Sequence, residues 1–376
     1  PTSHFWPGRL VATEDHPRPP ATITRMEPGL TDELFTRPQF SIPAVEKRAL
    51  LLPALQELTE HHRTHCPAYA RILDGIGYTG ATAIEDLPYL PVSLFKTHYL
   101  SSVAPDEVFK TMTSSGTTGQ AVSRVVLDRH TADLQTRALA AIMTSVLGPS
   151  RLPMIVIDTP NVVKDRTMFS ARGAGVLGML PFGRRHFYAL DDDMSLDVEG
   201  LRAFLDKHPE QPILLFGFTF MVWKYFLQAL PEEIDLRQGV LIHSGGWKKL
   251  QDEAVGNTEF KAALRARTGM TRVHNFYGMV EQVGSVFLEG EDGYLHAPNF
   301  AEVIIRHPQT WLPAPNGTPG IVEVLSVLPH SYPGHVLLTE DRGVLHEEGK
   351  LEILGRVPRA ELRGCSDTHA YDRVSA

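Results

Sequence analysis

The sequence predicts an α/β fold with a mostly parallel sheet flanked by helices. Three observations carry that expectation. Apolar runs such as "PMIVID", "PILLFGF" and "GVLIHSGG" alternate with segments of helical periodicity between residues 123 and 278. Pro, Gly and Asp punctuate each change of period, as βαβ units require. After Gly293 the helical segments cease, and "AEVIIRH", "GIVEVLSVL", "GHVLLTED" and "KLEILGR" follow as short strands. They read as a β-rich distal subdomain, a small barrel or sheet.

Taken in order, residues 1–45 are proline-rich without periodicity and read as an extended N-terminal arm. Residues 46–293 form the α/β core. It opens on "AVEKRALLLPALQELTEHHRTHCPAYARIL", helical in spacing with a break at Pro53 and an end before Pro67. His61, His62, His65 and Cys66 have metal-ligand chemistry, but two stacked helix turns with polar residues are the preferred explanation. "SRVVLD" reads as a strand, and Thr131 as the N-cap of a helix placing Leu134, Ala138, Ile142 and Val146 on one face before Gly148-Pro149. "FMVWKYFLQAL" and the stretch around Phe260 to Arg267 read as helices, and "TRVHNFYG" as a strand. Residues 294–355 are the distal part and 356–376 a residual C-terminal segment.

Composition narrows the function. The chain has 376 residues, 43% hydrophobic and 21% charged, enough for a large core, and a net charge of −8. It lacks a long basic block, which argues against nucleic acid; Gly183-Arg184-Arg185-His186 reads as a solvated loop. The two cysteines, Cys66 and Cys365, imply no disulfide framework. "PILLFGFTFMVW" is too short to span a bilayer, and the first residues carry no apolar signal core. A cytoplasmic protein, with neither membrane nor nucleic acid among its partners, is the expectation.

The chemistry centres on "TMTSSGTTGQAVSR". Within it Ser114, Ser115, Gly116, Thr117, Thr118 and Gly119 have the make-up of a phosphate loop. Glycines let successive N–H groups converge on an anion, and hydroxyls add rotatable donors. The lysine of the familiar nucleotide motif is absent, since Gln120 follows Gly119. Alone, such a loop is equally a polar hairpin turn. Gly173-Ala-Gly175-Val-Leu-Gly178 matches a dinucleotide fingerprint, but the polar "VVKDRTMFSAR" before it is no strand, so a glycine-rich turn on the substrate side is preferred.

The loop has company. "SSGTTG", "NFYGMVEQ", "LLTEDRG" and "LEILGR" follow one another in the order and spacing of four motifs of the adenylate-forming enzymes, which they resemble. "HSGGWKKL" and the closing "RGCS" make the chain most similar to the acyl-protein synthetases within that superfamily. The resemblance implies the large N-terminal domain of an adenylate-forming enzyme, with the C-terminal domain reduced to a stub. It implies ATP and Mg²⁺ as cofactors, and activation of an acyl or aryl carboxylic acid to an acyl adenylate with release of pyrophosphate. The acyl group would then pass to a thiol, either Cys365 or that of a reductase, carrier protein or transferase partner. Ser114 to Gly119 would hold the β and γ phosphates, and Gly245 and Gly246 would lie against adenine. Tyr277, with Gly278, would flank the base, Glu281 would hold Mg²⁺, and Asp341 would take the ribose hydroxyls with Arg356 assisting.

The chain departs from the pattern at Val280, where a threonine is usual, and at Pro358, near a common hinge aspartate. The usual C-terminal lysine has no counterpart, leaving Lys248 or Lys249 as substitutes. An acid pocket is expected around Phe216, Phe218, Trp223 and Trp247. The competing reading is an adenylate-fold binding protein that holds an acid or acyl adenylate for a partner enzyme.

Overall fold

A computed structural model describes residues 28–114, 122–163, 171–246 and 255–357. Helices α1 (Pro28–Thr36), α2 (Ala44–His65) and α3 (Pro67–Gly75) come first. Strand β1 (Leu90–Pro91) leads into the single-turn helix α4 (Leu94–Thr97). A hairpin of β2 (Lys110–Thr113) and β3 (Arg124–Leu127) precedes α5 (Arg129–Leu147). The alternating part comprises β4 (Leu152–Val156), α6 (Ala171–Met179), β5 (Gly183–Tyr188), α7 (Val198–Asp206) and β6 (Ile213–Phe218). It continues with α8 (Thr219–Met221), which runs on as a π-helical stretch over Val222–Leu227, then β7 (Gly239–Ser244), α9 (Asn257–Thr268) and β8 (Arg272–Tyr277). Strands β9 (Phe287–Glu289), β10 (Leu295–His296), β11 (Ala301–Arg306), β12 (Gly320–Ser326), β13 (Val336–Leu345) and β14 (Leu351–Arg356) complete the order.

One sheet runs β11-β12-β13-β14-β10-β9-β8-β7-β6-β4-β5, with β1 added beside β13. Its strands are parallel from β5 to β8 and antiparallel from β8 to β11. The strands expected to form a distal subdomain after residue 293 therefore continue the core sheet. The short β9–β10 hairpin makes the join, because β9 bonds to β8 and β10 to β14. Such pairing leaves neither half with an open edge at the junction.

Strands β4 and β6 are buried at every residue, as parallel strands covered on both faces should be. Met154, Val156, Leu214 and Phe216 pack with α5, α6 and the distal strands. Ile155, Leu215, Leu241 and Val273 pack with α7, the π-helical stretch and α9. Removal of apolar area from water on both faces is what chiefly holds the layers together.

Several local expectations change. Of the expected arm, residues 1–27 lie outside the described residues, and from Pro28 there is a helix whose Leu34 is fully buried, with Asn299 donating to Pro38 O behind it. Pro53 does not break α2, because Leu51, Ala54, Leu55 and Leu58 bury one continuous face around it; that packing outweighs a proline cost of about 3 kcal/mol. The cap of α5 is Asp128, whose carboxylate accepts from Thr131 N–H at 2.8 Å, so Thr131 lies inside the helix. Gly183 to His186 begins edge strand β5 rather than a solvated loop. The fingerprint-like glycines lie within α6, not in a turn. Strand β3 pairs only with β2, in a separate ribbon. No helix among the described residues is long and apolar enough to cross a membrane.

Within the histidine cluster, His62 is fully buried. His62 donates from Nε2 to Pro329 O at 3.0 Å and meets Ser102 Oγ with Nδ1 at 2.7 Å. No group of three or more potential ligands is arranged for a metal among the described residues. His335 packs 4.9 Å from the His62 ring. The Thr59 hydroxyl donates to Leu55 O, so His335 Nε2 donates to Thr59, and its buried Nδ1 has no partner. Protonating that nitrogen would bury an uncompensated charge, and burial holds the His335 imidazole down at about 3. A depressed folded value means that stability is fully present above the unfolded value near 6.5 and is lost as pH falls below it. Between pH 7.5 and pH 5, wild type should lose about 2 kcal/mol relative to His335→Gln in urea unfolding. Parallel losses in the two proteins would show that this imidazole titrates normally.

Candidate active site

The adjoining C-terminal ends of β6, β7 and β8 define the floor, the usual position for a ligand site in a parallel sheet. Side-chain bonds tie these ends together. Thr219 Oγ1 donates to Ser244 O at 3.2 Å, and Ser244 Oγ donates to Phe276 O at 2.9 Å. Gly245 then leaves β7 with φ +85, a conformation that suits glycine. Gly245 and Gly246 are exposed at this end. Beneath them lies the Phe218 ring, 3.5 Å from where a Cβ on Gly245 would stand and 3.0 Å from one on Gly175. Gly175 thus lets α6 approach Phe218, which gives part of the fingerprint-like motif a packing role.

Ser114 and Ser123 close the neck of the phosphate-loop candidate above the β2–β3 ladder. Ser114 N–H donates to Ser123 O at 3.0 Å, and Ser123 N–H donates to Ser114 Oγ at 2.9 Å. Ser115, Gly116, Thr117, Thr118 and Gly119 lie outside the described residues. The Ser123 hydroxyl also donates to the carboxylate of Glu281, in the 3₁₀ turn Val280–Gln282 just after β8. Glu281 is only 6% exposed. Burial pushes its carboxyl up, opposed by the Ser123 bond and by the positive charges of Lys96 and Arg356. Between β8 and this turn, Gly278 passes so close to the chain that an added Cβ would stand 3.3 Å from Ser285 O.

The far wall comes from β13 and β14. Asp341 and Arg356 are register partners across that antiparallel pair, with Arg356 Nε 3.6 Å from Asp341 Oδ1. Tyr277, at the end of β8, donates its hydroxyl to Asp341 Oδ2 at 2.7 Å. Burial pushes the Asp341 carboxyl up, while Tyr277 and Arg356 pull it down. Burial and the Asp341 charge raise the Tyr277 hydroxyl well above its ordinary value, which keeps it a donor.

Four of the sequence motifs thus converge: the neck of the loop, the β8 turn, Asp341 and Arg356. The pocket candidates disperse. Phe216 is a core side chain with no exposed surface. Trp223 packs on Phe260, 6.0 Å between ring centroids, and Phe260 on buried His243. Trp247, Lys248, Lys249, Pro358 and Cys365 lie outside the described residues. The motif reading missed Lys96 on α4, whose Nζ lies 3.7 Å from Glu340 Oε1 with a side chain only 9% exposed. Its signal was a lysine inside the apolar run "LPVSLFK".

This arrangement is the large domain of an adenylate-forming enzyme. The fold matches 2-hydroxyisobutyryl-CoA ligase, solved in the postadenylation state with 2-HIB-AMP, at a TM-score of 0.62 and 16% identity over 84% of this chain and 69% of that one. The chain belongs to the LuxE acyl-protein synthetase family, whose model (acyl-protein synthetase, LuxE) matches residues 34–372. Two similar relatives are long-chain-fatty-acid–luciferin-component ligases. The one from Aliivibrio fischeri is 23% identical over 75% of this chain and 78% of its own length. The one from Vibrio harveyi is 23% identical over 85% and 87%. The protein is an AMP-forming ligase that activates an acyl group with ATP.

Tyr277→Phe removes the donor that helps keep Asp341 ionised. The Asp341 carboxyl should then titrate at a higher pH than in wild type, followed by side-chain carbon NMR. An unchanged titration would mean that the bond does not form in solution.

Proposed function

We propose that the protein condenses a carboxylic acid with ATP to an acyl adenylate and then passes the acyl group to a thiol. The observation that carries the reading is the meeting of the loop neck, the buried Glu281 and the Tyr277–Asp341–Arg356 group at one strand edge. An acid oxygen attacks the α phosphorus, the new P–O bond forms, and pyrophosphate leaves with the electron pair of the broken bond. The acid is already ionised and needs no base, so the work is positioning and charge neutralisation.

In this reading the exposed Gly245-Gly246 turn faces adenine and Tyr277, with Gly278, borders the base. Asp341 keeps acceptor sites for the ribose hydroxyls beside Arg356, and Ser114 to Gly119 cradle the β and γ phosphates. Phe218, under Gly245, is the pocket candidate nearest the adenylate. Magnesium takes one or two carboxylates together with substrate phosphates. A buried carboxylate whose burial is opposed by one hydroxyl, its own backbone N–H and two neighbouring cations suits that role. Glu281 would hold Mg²⁺, which supplies charge neutralisation for the phosphates when bound. Lys248 or Lys249 would supply the cation in place of the usual C-terminal lysine.

The acyl acceptor in this reading is Cys365. Its thiolate attacks the adenylate carbonyl, a thioester forms and AMP leaves; neighbouring Arg363 favours the thiolate. A reductase, carrier protein or transferase would then take the acyl group. The names of the two bacterial relatives make long-chain fatty acids the first substrates to try, with aromatic acids beside them.

Acid-dependent exchange of pyrophosphate into ATP tests the first half. Glu281→Gln, equal in size but uncharged, should exchange about 100-fold more slowly or worse with the fold intact. A wild-type rate in that variant would remove Glu281 from the chemistry. The second half is read by intact mass. Wild type given ATP and its acid should gain a hydroxylamine-labile acyl group on the Cys365 peptide. Cys365→Ser should still release pyrophosphate but carry no thioester. Adenylate release from wild type without any protein adduct would point to an external acceptor.

A further inference from the structure

A cavity of about 670 Å³ opens where β8 and β9 part. Register pairing of these strands covers only Phe276 with Leu288 and Tyr277 with Phe287. Beyond that point side chains replace the ladder. His274 Nδ1 donates to Glu289 O at 2.9 Å, and the Glu289 carboxylate accepts from Asn275 N–H at 2.8 Å. The strands stay tied without closing, and the cavity lies between Arg272 and His274 on one side and Leu288 and Glu291 on the other. Phe40 and Val146 join Leu288 as an apolar wall. Phe40 stands there at φ +67, a conformation uncommon outside glycine. Tyr277, Glu281, Asp341 and Arg356 do not line this cavity, so it is separate from the nucleotide site.

Some of its polar groups are already matched. Buried Glu289 also takes Lys261 Nζ at 2.7 Å and Asn257 Nδ2 at 2.5 Å. His296 Nε2 meets Asp292 Oδ1 at 3.0 Å. Three other groups are open. Arg272 gives one N–H to Val146 O at 2.6 Å, at the end of α5, and among the described residues no carboxylate stands within ion-pair distance of it. Glu291 is exposed, and among the described residues no cation stands within that distance of it. A carbonyl can only accept, so the His274 ring proton sits on Nδ1 and Nε2 is an acceptor, with no partner among the described residues. Burial pushes the His274 imidazole down, which keeps Nε2 unprotonated at neutral pH. The cavity therefore offers one cation, one anion and one neutral acceptor beside an apolar wall. A simple anion would answer Arg272, meet the like charge of Glu291 and leave His274 without a donor. A simple cation would leave Arg272 unanswered. A molecule carrying both charges answers all three.

We propose that this cavity binds a zwitterionic amino acid with an apolar side chain. Its carboxylate sits on Arg272, its ammonium is shared by His274 Nε2 and Glu291, and its side chain lies along Phe40, Val146 and Leu288. The volume falls within the range of about 300–1,000 Å³ usual for small-molecule sites. The amino acid is bound and not consumed, and its binding needs no ATP.

Calorimetry on the full chain without ATP tests this with L-phenylalanine, hydrocinnamate and phenethylamine. These carry both charges, the carboxylate alone and the ammonium alone on the same ring and linker. L-Phenylalanine should bind, and each single-charge analogue about 10-fold more weakly or worse, the worth of one hydrogen bond to a charged group. Arg272→Gln and Glu291→Gln should each weaken L-phenylalanine by a similar factor, while acid-dependent pyrophosphate exchange stays at the wild-type rate. Glu291→Gln, at an exposed position, carries the test if Arg272→Gln loses its bond to α5 and fails to fold. Hydrocinnamate binding as tightly as L-phenylalanine, and equally sensitive to Arg272→Gln, would make this a plain anion site and overturn the proposal. So would no binding of L-phenylalanine at millimolar concentration, or undiminished binding by both variants. Pyrophosphate exchange driven by L-phenylalanine would seat it in the active site and overturn the proposal too.

Discussion

Glu281 is a carboxylate held almost out of water at the joint between a hairpin and a sheet, and the rest of the site is arranged around that constraint. Burying a charge is costly unless donors or opposite charges stand close. The Ser123 hydroxyl and the backbone N–H of Glu281 itself supply donors, and Lys96 and Arg356 supply the charge. Each arrives on a different element: Ser123 at the neck of the β2–β3 ribbon, Lys96 on α4, Arg356 at the end of β14. Holding one carboxylate therefore fixes three segments that are remote in sequence. The same convergence gathers positive charge where a polyphosphate would need it.

The sheet topology makes the convergence possible. Parallel strands deliver Ser244, Phe276 and Tyr277 to one edge, because parallel neighbours end on the same side. Antiparallel β13 and β14 set Asp341 opposite Arg356 by register alone. The β9–β10 hairpin joins the two regimes into one sheet, and the Tyr277–Asp341 bond spans the join. The site thus straddles the boundary between parallel and antiparallel pairing, with rigid strands on both sides to hold its geometry.

Much of this was legible in the residues. Buried strands announced themselves as unbroken apolar runs, and α5 by its face of Leu134, Ala138 and Ile142. The four motifs were readable because each is a local string. What was hidden depends on distant contacts. Strand β5 reads as a polar loop because "GRRHFY" lies at a sheet edge, where only one neighbour constrains it. Pro53 looks like a break until the buried face that spans it is counted. The junction near residue 293 looks like a domain boundary because a change from helices to strands is visible in sequence, whereas the pairing of β10 with β14 is not. Lys96 carries no local motif; its ion pair with Glu340 links it to a residue far along the chain.

The bond from Tyr277 to Asp341 bears on how a nucleotide would enter. An ionised carboxylate offers about four acceptor positions. In the structure one oxygen of Asp341 accepts from Tyr277 and the other faces Arg356 at 3.6 Å. Both partners are donors, so they fix the carboxylate's orientation and favour its charged form against the burial that opposes it. Acceptor positions remain on both oxygens for the two hydroxyls of a ribose. Tyr277 thus need not withdraw for a nucleoside to bind, and the acceptor geometry is set before the ligand arrives. Less ordering is then left to be done on binding, which is where preorganisation gains affinity.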